Sequence, residues 1–114
     1  MDLDGRKVLI VEGRTDKEAI KKVINEPLDI LCTYGTLGVE KLDAMIEEHE
    51  LDNREVYVLV DADDAGEKLR KQLRIELPHA KHLYVDRVYR EVATTPADYL
   101  ASLMAQANIT VKFT

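Results

Sequence analysis

The sequence has little of several things, and each scarcity excludes something. There is one cysteine among 114 residues, Cys32, which rules out an intramolecular disulfide framework and a multi-cysteine zinc site. There is no tryptophan and a single phenylalanine, so the aromatic platforms that commonly stack single-stranded bases are scarce. Long apolar runs are missing too: the first, Val8–Val11, is far too short for a membrane span or the core of a signal peptide. A cytoplasmic protein without an export signal is expected. Basic charge is outweighed, with 16 Lys and Arg against 22 Asp and Glu and a formal net charge of −6. A general basic surface for holding nucleic acid is thereby excluded, and any phosphate ligand needs a local basic patch or a bound cation.

What is present is the mix of a globular protein, 46% hydrophobic and 33% charged, at a length that suits one domain. Punctuation is regular. Lys7–Val11 and Glu55–Val60 are continuous apolar runs rich in β-branched residues, the mark of strands buried on both faces. Leu28–Tyr34 and Ala80–Val85 read as two further strands. Between and after them, helical spacing predicts helices over Thr15–Asn25, Val39–Glu48, Asp64–Leu77 and Pro96–Ala107. Arg87–Thr95 reads as a loop, and the alternation in Ile109–Phe113 suggests a short edge strand open to another chain. Strands alternating with helices predict an α/β fold of three layers, α/β/α. Its central, mainly parallel sheet has about four strands, and right-handed crossovers put helices on both faces.

The acids are unevenly placed. Glu12 follows the first strand, and Asp61 and Asp63 follow the third, so both clusters lie at carboxyl ends of buried strands. Ligands of open α/β sheets bind at that edge, where the strand order reverses. In the order 2-1-3-4 this point falls between strands one and three. Alternation in an extended segment points Asp61 and Asp63 the same way and Ala62 the other. With Glu12 beside them, three carboxylates are expected to converge. At ~4 Å and an effective dielectric of ~20, each like-charge pair costs about 4 kcal/mol, which a proton or a cation must relieve. Mg2+ suits such a site: it prefers oxygen, takes one or two carboxylates, and keeps waters that a phosphate can replace. Two roles are open to Glu12, general acid/base or third metal ligand.

Plainer roles compete. An acid between a strand and a helix is often an N-cap, and Asp16, Asp63 and Asp64 all suit that. Gly13 lets backbone approach a ligand closely, and Asp16 counts with it among the candidate phosphate or nucleic-acid contacts. Gly35-Thr36 is either a phosphate-approach turn or an ordinary helix entry. Lys7, Arg14, Lys17, Lys41, Lys68 and Arg70 read by default as solvated. Of these, Arg14 and Lys17, next to Glu12, are the best placed for phosphate, with Arg87 and Arg90 able to reach the same edge. His49, His79 and His82 show no metal-ligand spacing and read as surface or capping residues. Cys32 reads as a buried, inert thiol.

The motifs together resemble the Toprim domain shared by topoisomerases, bacterial-type primases, recombination-repair proteins and ribosomal-RNA maturation nucleases. The first is Val8-Leu-Ile-Val-Glu12-Gly13-Arg-Thr-Asp16. The second is Asp61-Ala-Asp63-Asp64-Ala-Gly66, close to the primase version. Gly35-Thr36 matches the turn after strand two, and Asp98 is a partial counterpart of a late acidic motif. The resemblance covers about Lys7–Tyr99 and implies a Rossmann-like Toprim fold, with residues 1–114 as one small stand-alone domain. It implies a Mg2+-dependent phosphotransfer or phosphodiester site, with Glu12 as acid/base and Asp61 and Asp63 as metal ligands. A small nuclease of the RNA-maturation type, or a nucleotidyl transferase, acting on RNA or DNA, is the leading expectation. The alternative is a non-catalytic, Mg2+-dependent nucleic-acid-binding module that works with a partner protein.

Overall fold

The structure, a computed structural model, describes residues 5–112. Four strands, β1 (Lys7–Val11), β2 (Leu28–Cys32), β3 (Val56–Val60) and β4 (Lys81–Tyr84), form one parallel sheet in the order β2-β1-β3-β4. Four α-helices connect and follow them: α1 (Arg14–Lys21), α2 (Val39–Glu48), α3 (Asp64–Glu76) and α4 (Ala97–Gln106). A short 3-10 turn, Leu51–Asn53, precedes β3.

Alternation along the two central strands builds the core. Leu9 and Val11 of β1, with Tyr57 and Leu59 of β3, pack against Ile20 of α1 and Leu100 and Met104 of α4. Val8 and Ile10, with Val56, Val58 and Val60, pack against Leu42 of α2 and Leu69 and Leu73 of α3. The sheet is thus covered on both faces, and each such leucine contributes roughly 1.5–3 kcal/mol by leaving water. That two-sided burial is why β1 and β3 read as unbroken apolar runs, whereas β2 and β4, at the edges, are only partly buried.

Two segments depart from the expectation. α1 stops at Lys21, short of Asn25. The backbone released there is taken up by the chain's end: Asn25 N donates to Thr110 O, Lys112 N donates to Val23 O, and Ile24 and Val111 form one antiparallel bridge. The described part of the expected edge strand Ile109–Phe113, residues 109–112, is therefore not a strand at the sheet edge but a cap on the end of α1, and Phe113 lies outside the described residues. Arg70 is the second departure. It lies on α3 with 1% of its surface exposed, far from a solvated helix face. Among the described residues no helix is long and apolar enough to cross a membrane.

Candidate active site

β1 and β3 are neighbours, so the residues that follow them share the carboxyl edge of the sheet. One hydrogen bond joins the two segments: Asp61 N donates to Glu12 Oε1 at 3.2 Å. The chain after β2 docks on the same edge, with Tyr34 N donating to the Glu12 carbonyl at 2.6 Å. Glu12 is half-buried, and its carboxyl pKa is pushed above the ordinary 4.5. Burial is the main cause. The Asp61 amide pulls the other way, and the charges of Asp61, Asp63 and Asp16 add to the rise. A carboxyl held this way keeps its proton to higher pH than a solvated one, the direction a general acid/base needs.

The two aspartates each commit one oxygen. Asp63 caps α3, its Oδ1 accepting from Gly66 N at 2.8 Å, while Asp61 Oδ1 accepts from Val92 N at 2.9 Å. Their Oδ2 atoms carry no hydrogen bond among the described residues. Ala62 turns away into the core beside α4, and its amide donates to the Arg90 carbonyl at 2.7 Å. The loop after β4 is thereby clamped along the aspartate segment at two points. Gly66 is buried where the first turn of α3 meets this segment: a Cβ there would lie 2.0 Å from the Asp61 carbonyl oxygen. Only glycine lets the helix approach so closely.

The acidic side chains share one edge without closing into a cage. Among the described residues no three His, Cys, Asp or Glu side chains are grouped so as to hold a metal ion. Two aspartates with a free oxygen apiece still offer the hard oxygen donors that Mg2+ takes one or two at a time, with water completing its shell. The residues fit Mg2+ in that mode, Glu12 not being needed as a ligand.

The other candidates divide. Asp16 is 7% exposed, and its Oδ2 accepts from Gly13 N at 3.0 Å, which fixes the entry to α1. It is a buried structural acid rather than a phosphate contact. Its pKa is raised, chiefly by burial, with the Gly13 amide opposing and the charges of Asp61 and Glu91 adding. Arg14 is exposed at the start of α1. Lys17 lines a groove along β2 with Arg6 and Lys21, one helical turn away from Glu12's edge. Gly35 adopts a φ of +101° in the turn after β2, and Thr36 beside it is exposed. Asp64 is exposed in the first turn of α3. Asp98 Oδ1 accepts from Tyr99 N at 2.9 Å, and among the described residues no hydrogen bond joins Asp98 to Asp61 or Asp63.

Three residues escaped the sequence reading. Glu91 adds its charge beside Asp16. His82 is half-buried rather than at the surface, its Nδ1 3.0 Å from Arg70 Nη1. Burial and the neighbouring Arg70 and Arg74 pull its pKa down to about 4. Arg70 itself donates through Nη2 to the carbonyls of Leu83 at 2.6 Å and Val60 at 3.4 Å, and its guanidinium lies 4.0 Å from the Tyr84 ring centre. The Glu12 charge acts on the Arg70 pKa, which burial lowers most, so this cation belongs to the electrostatics of the same edge.

Residues 7–89 match the Toprim domain family. The chain belongs to the Toprim family. A solved structure, that of a small TOPRIM domain protein from Bacillus stearothermophilus, is similar to this Toprim chain with a TM-score of 0.88 and 48% identity, covering 94% of this chain and 89% of that one. A Bacillus subtilis (strain 168) protein called uncharacterized protein YusF is 51% identical over 105 residues, 92% of this chain and 70% of its own length. Ribonuclease M5 of Fusobacterium nucleatum is 30% identical over 83 residues, 73% of this chain and 44% of that protein. Ribonuclease M5 1 of Ligilactobacillus salivarius (strain UCC118) is 35% identical over 83 residues, 72% of this chain and 43% of that protein. The Toprim chain spans less than half the length of these ribonuclease relatives.

Proposed function

We propose that this Toprim protein is a Mg2+-dependent phosphodiesterase acting on nucleic acid in the cytoplasm, a small nuclease of the kind its ribonuclease relatives are named for. The observation that carries the reading is the hydrogen bond between Glu12 and the Asp61 amide, which holds a carboxyl of raised pKa against the aspartate segment. Asp61 and Asp63 would hold Mg2+ through the oxygens their backbone bonds leave free, and the ion, when bound, neutralises charge on the phosphodiester. Glu12 keeps Oε1 on the Asp61 amide and moves the proton at Oε2. Gly66 sets the spacing of Asp61 and Asp63 by letting α3 pack against the Asp61 carbonyl. Val92 fixes the Asp61 carboxylate through its amide.

The length relation to the ribonucleases favours a second role, a Mg2+-dependent nucleic-acid-binding module whose cleavage depends on a partner protein. One assay separates the two. Structured RNA is incubated with Mg2+ and wild type, Glu12→Gln or Asp61→Asn. The nuclease reading predicts cleavage by wild type and a loss of at least 100-fold in both variants, the scale of one acid/base group. Equal background cleavage by all three rejects a catalytic site. Metal-dependent RNA binding without cleavage would then establish the module.

A further inference from the structure

The carboxyl edge continues past Asp63 into a cavity of about 770 Å3 between the start of α3, the end of β4 and the turn that follows it. Asp63 and Asp64 line it, as do Arg70, Tyr84, Arg87 and Arg90. Acid, cation and aromatic ring are thus gathered in one concavity, contiguous with the proposed catalytic segment through Asp63.

Tyr84 ends β4 with 51% of its surface exposed. One face of its ring is backed by the Arg70 guanidinium at 4.0 Å, and its hydroxyl accepts from Arg74 Nη2 at 3.0 Å. The ring is therefore held from behind and at its tip while much of it remains open. Arg70 is fixed as well, by Val60 O, Leu83 O and His82 Nδ1, yet its Nε has no hydrogen-bond partner although the side chain is buried. That Nε is paired instead with the Glu67 carboxylate, 3.6 Å from Oε2, so the guanidinium is held in place behind the ring. Arg87 and Arg90 are exposed, and the turn is shaped by Asp86, whose carbonyl accepts from Tyr89 N and Arg90 N and whose Oδ1 accepts from Val88 N.

We propose that this cavity is a nucleotide subsite for single-stranded polynucleotide. The nucleobase stacks on the open face of Tyr84, and the adjoining phosphate lies against Arg87 and Arg90. The alternation of base and phosphate in a strand matches the alternation of ring and cations in the cavity. A guanidinium behind the ring also suits stacking, since the ring's other face stays available. The proposal rests on the phosphodiesterase reading and adds where the neighbouring nucleotide sits.

The test is fluorescence anisotropy on the full chain with a labelled single-stranded hexaribonucleotide and with an abasic hexamer of the same backbone, Ca2+ replacing Mg2+ to hold off cleavage. Tyr84→Leu is expected to weaken the hexaribonucleotide about fivefold to a hundredfold, the range for one stacked base. It should leave the abasic hexamer unchanged, a control that an unfolded variant would fail. Tyr84→Phe, which keeps the ring, should bind more tightly than Tyr84→Leu. Arg87→Ala should reduce the slope of log affinity against log salt by about 0.7, one phosphate contact of a single strand. Equal loss of both hexamers in a Tyr84→Leu protein that melts like wild type, or no loss of either while Asp61→Asn abolishes binding, overturns the subsite and leaves the phosphodiesterase reading standing. No binding of either hexamer by wild type also overturns the subsite, while the phosphodiesterase reading stands or falls on the cleavage assay with structured RNA.

Discussion

Gly66 and Asp61 touch more closely than any side chain would allow, since a Cβ on Gly66 would sit 2.0 Å from the Asp61 carbonyl oxygen and 3.3 Å from Asp63 Oδ1. The helix that Asp63 caps is therefore positioned by backbone contact with the segment that carries both aspartates. Gly66→Ala must push α3 away from Asp61 or shift the Asp61 backbone. We expect a loss of about 1–3 kcal/mol of stability from the overpacked contact, read by urea denaturation, and a larger loss in metal-dependent activity than in stability. Activity unchanged in a folded Gly66→Ala protein would show that the spacing of the aspartates is not critical.

Glu12 is destabilising in its charged form. Its folded pKa lies above the unfolded 4.5, chiefly through burial. Its contribution to stability is thus fully present below pH 4.5 and lost as pH rises through the folded value. Glu12→Gln keeps an oxygen acceptor for the Asp61 amide and removes the charge. At pH 7 it should melt above wild type, since the charge that burial disfavours is gone. The gap should close toward pH 4, as thermal melts across that range will show. A variant that melts below wild type at pH 7 contradicts this account of Glu12.

His82 works in the opposite direction. Its folded pKa is about 4 against an ordinary 6.5, because burial and Arg70 oppose its protonation. The unfolded chain binds the proton between those values, so stability present above pH 6.5 is lost as pH falls toward 4. His82→Asn, which retains an acceptor for Arg70, should flatten that limb of the stability curve by on the order of 1–3 kcal/mol. Denaturant midpoints at pH 7 and pH 4.5 measure it, and an unchanged limb would place the acid sensitivity elsewhere.

The divide between what was legible in the sequence and what was not follows physical range. β1 and β3 announce themselves because both faces are buried, leaving unbroken apolar runs that end in Glu12 and Asp61. Their adjacency is that of the doubly wound order 2-1-3-4, which the sheet adopts, and the motif Asp61-Ala-Asp63-Asp64-Ala-Gly66 sits where the sheet edge puts it. Arg70 was not legible. On a helix with Leu69 and Leu73 an arginine reads the same whether its guanidinium meets water or the carbonyls of Val60 and Leu83, and only the tertiary fold supplies those carbonyls. Lys17 neighbours Glu12 in sequence, yet helical rotation carries it to the flank of β2. The amide of Val92, 31 residues beyond the carboxylate it holds, has no residue-type signature at all. The tail over Ile109–Phe113 alternates like a strand, but residues 110–112 pair with the released end of α1, which no local pattern reveals.

The central claim is that Asp61 and Asp63 hold Mg2+ beside Glu12, and titration calorimetry with Mg2+ tests it most directly. Wild type and Glu12→Gln are both predicted to bind one ion, since Glu12 moves a proton rather than ligating. Asp61→Asn and Asp63→Asn should each lose at least tenfold in affinity, about 1.4 kcal/mol. Binding that is unaltered by both aspartate substitutions, or no binding by the wild-type protein, would contradict the account.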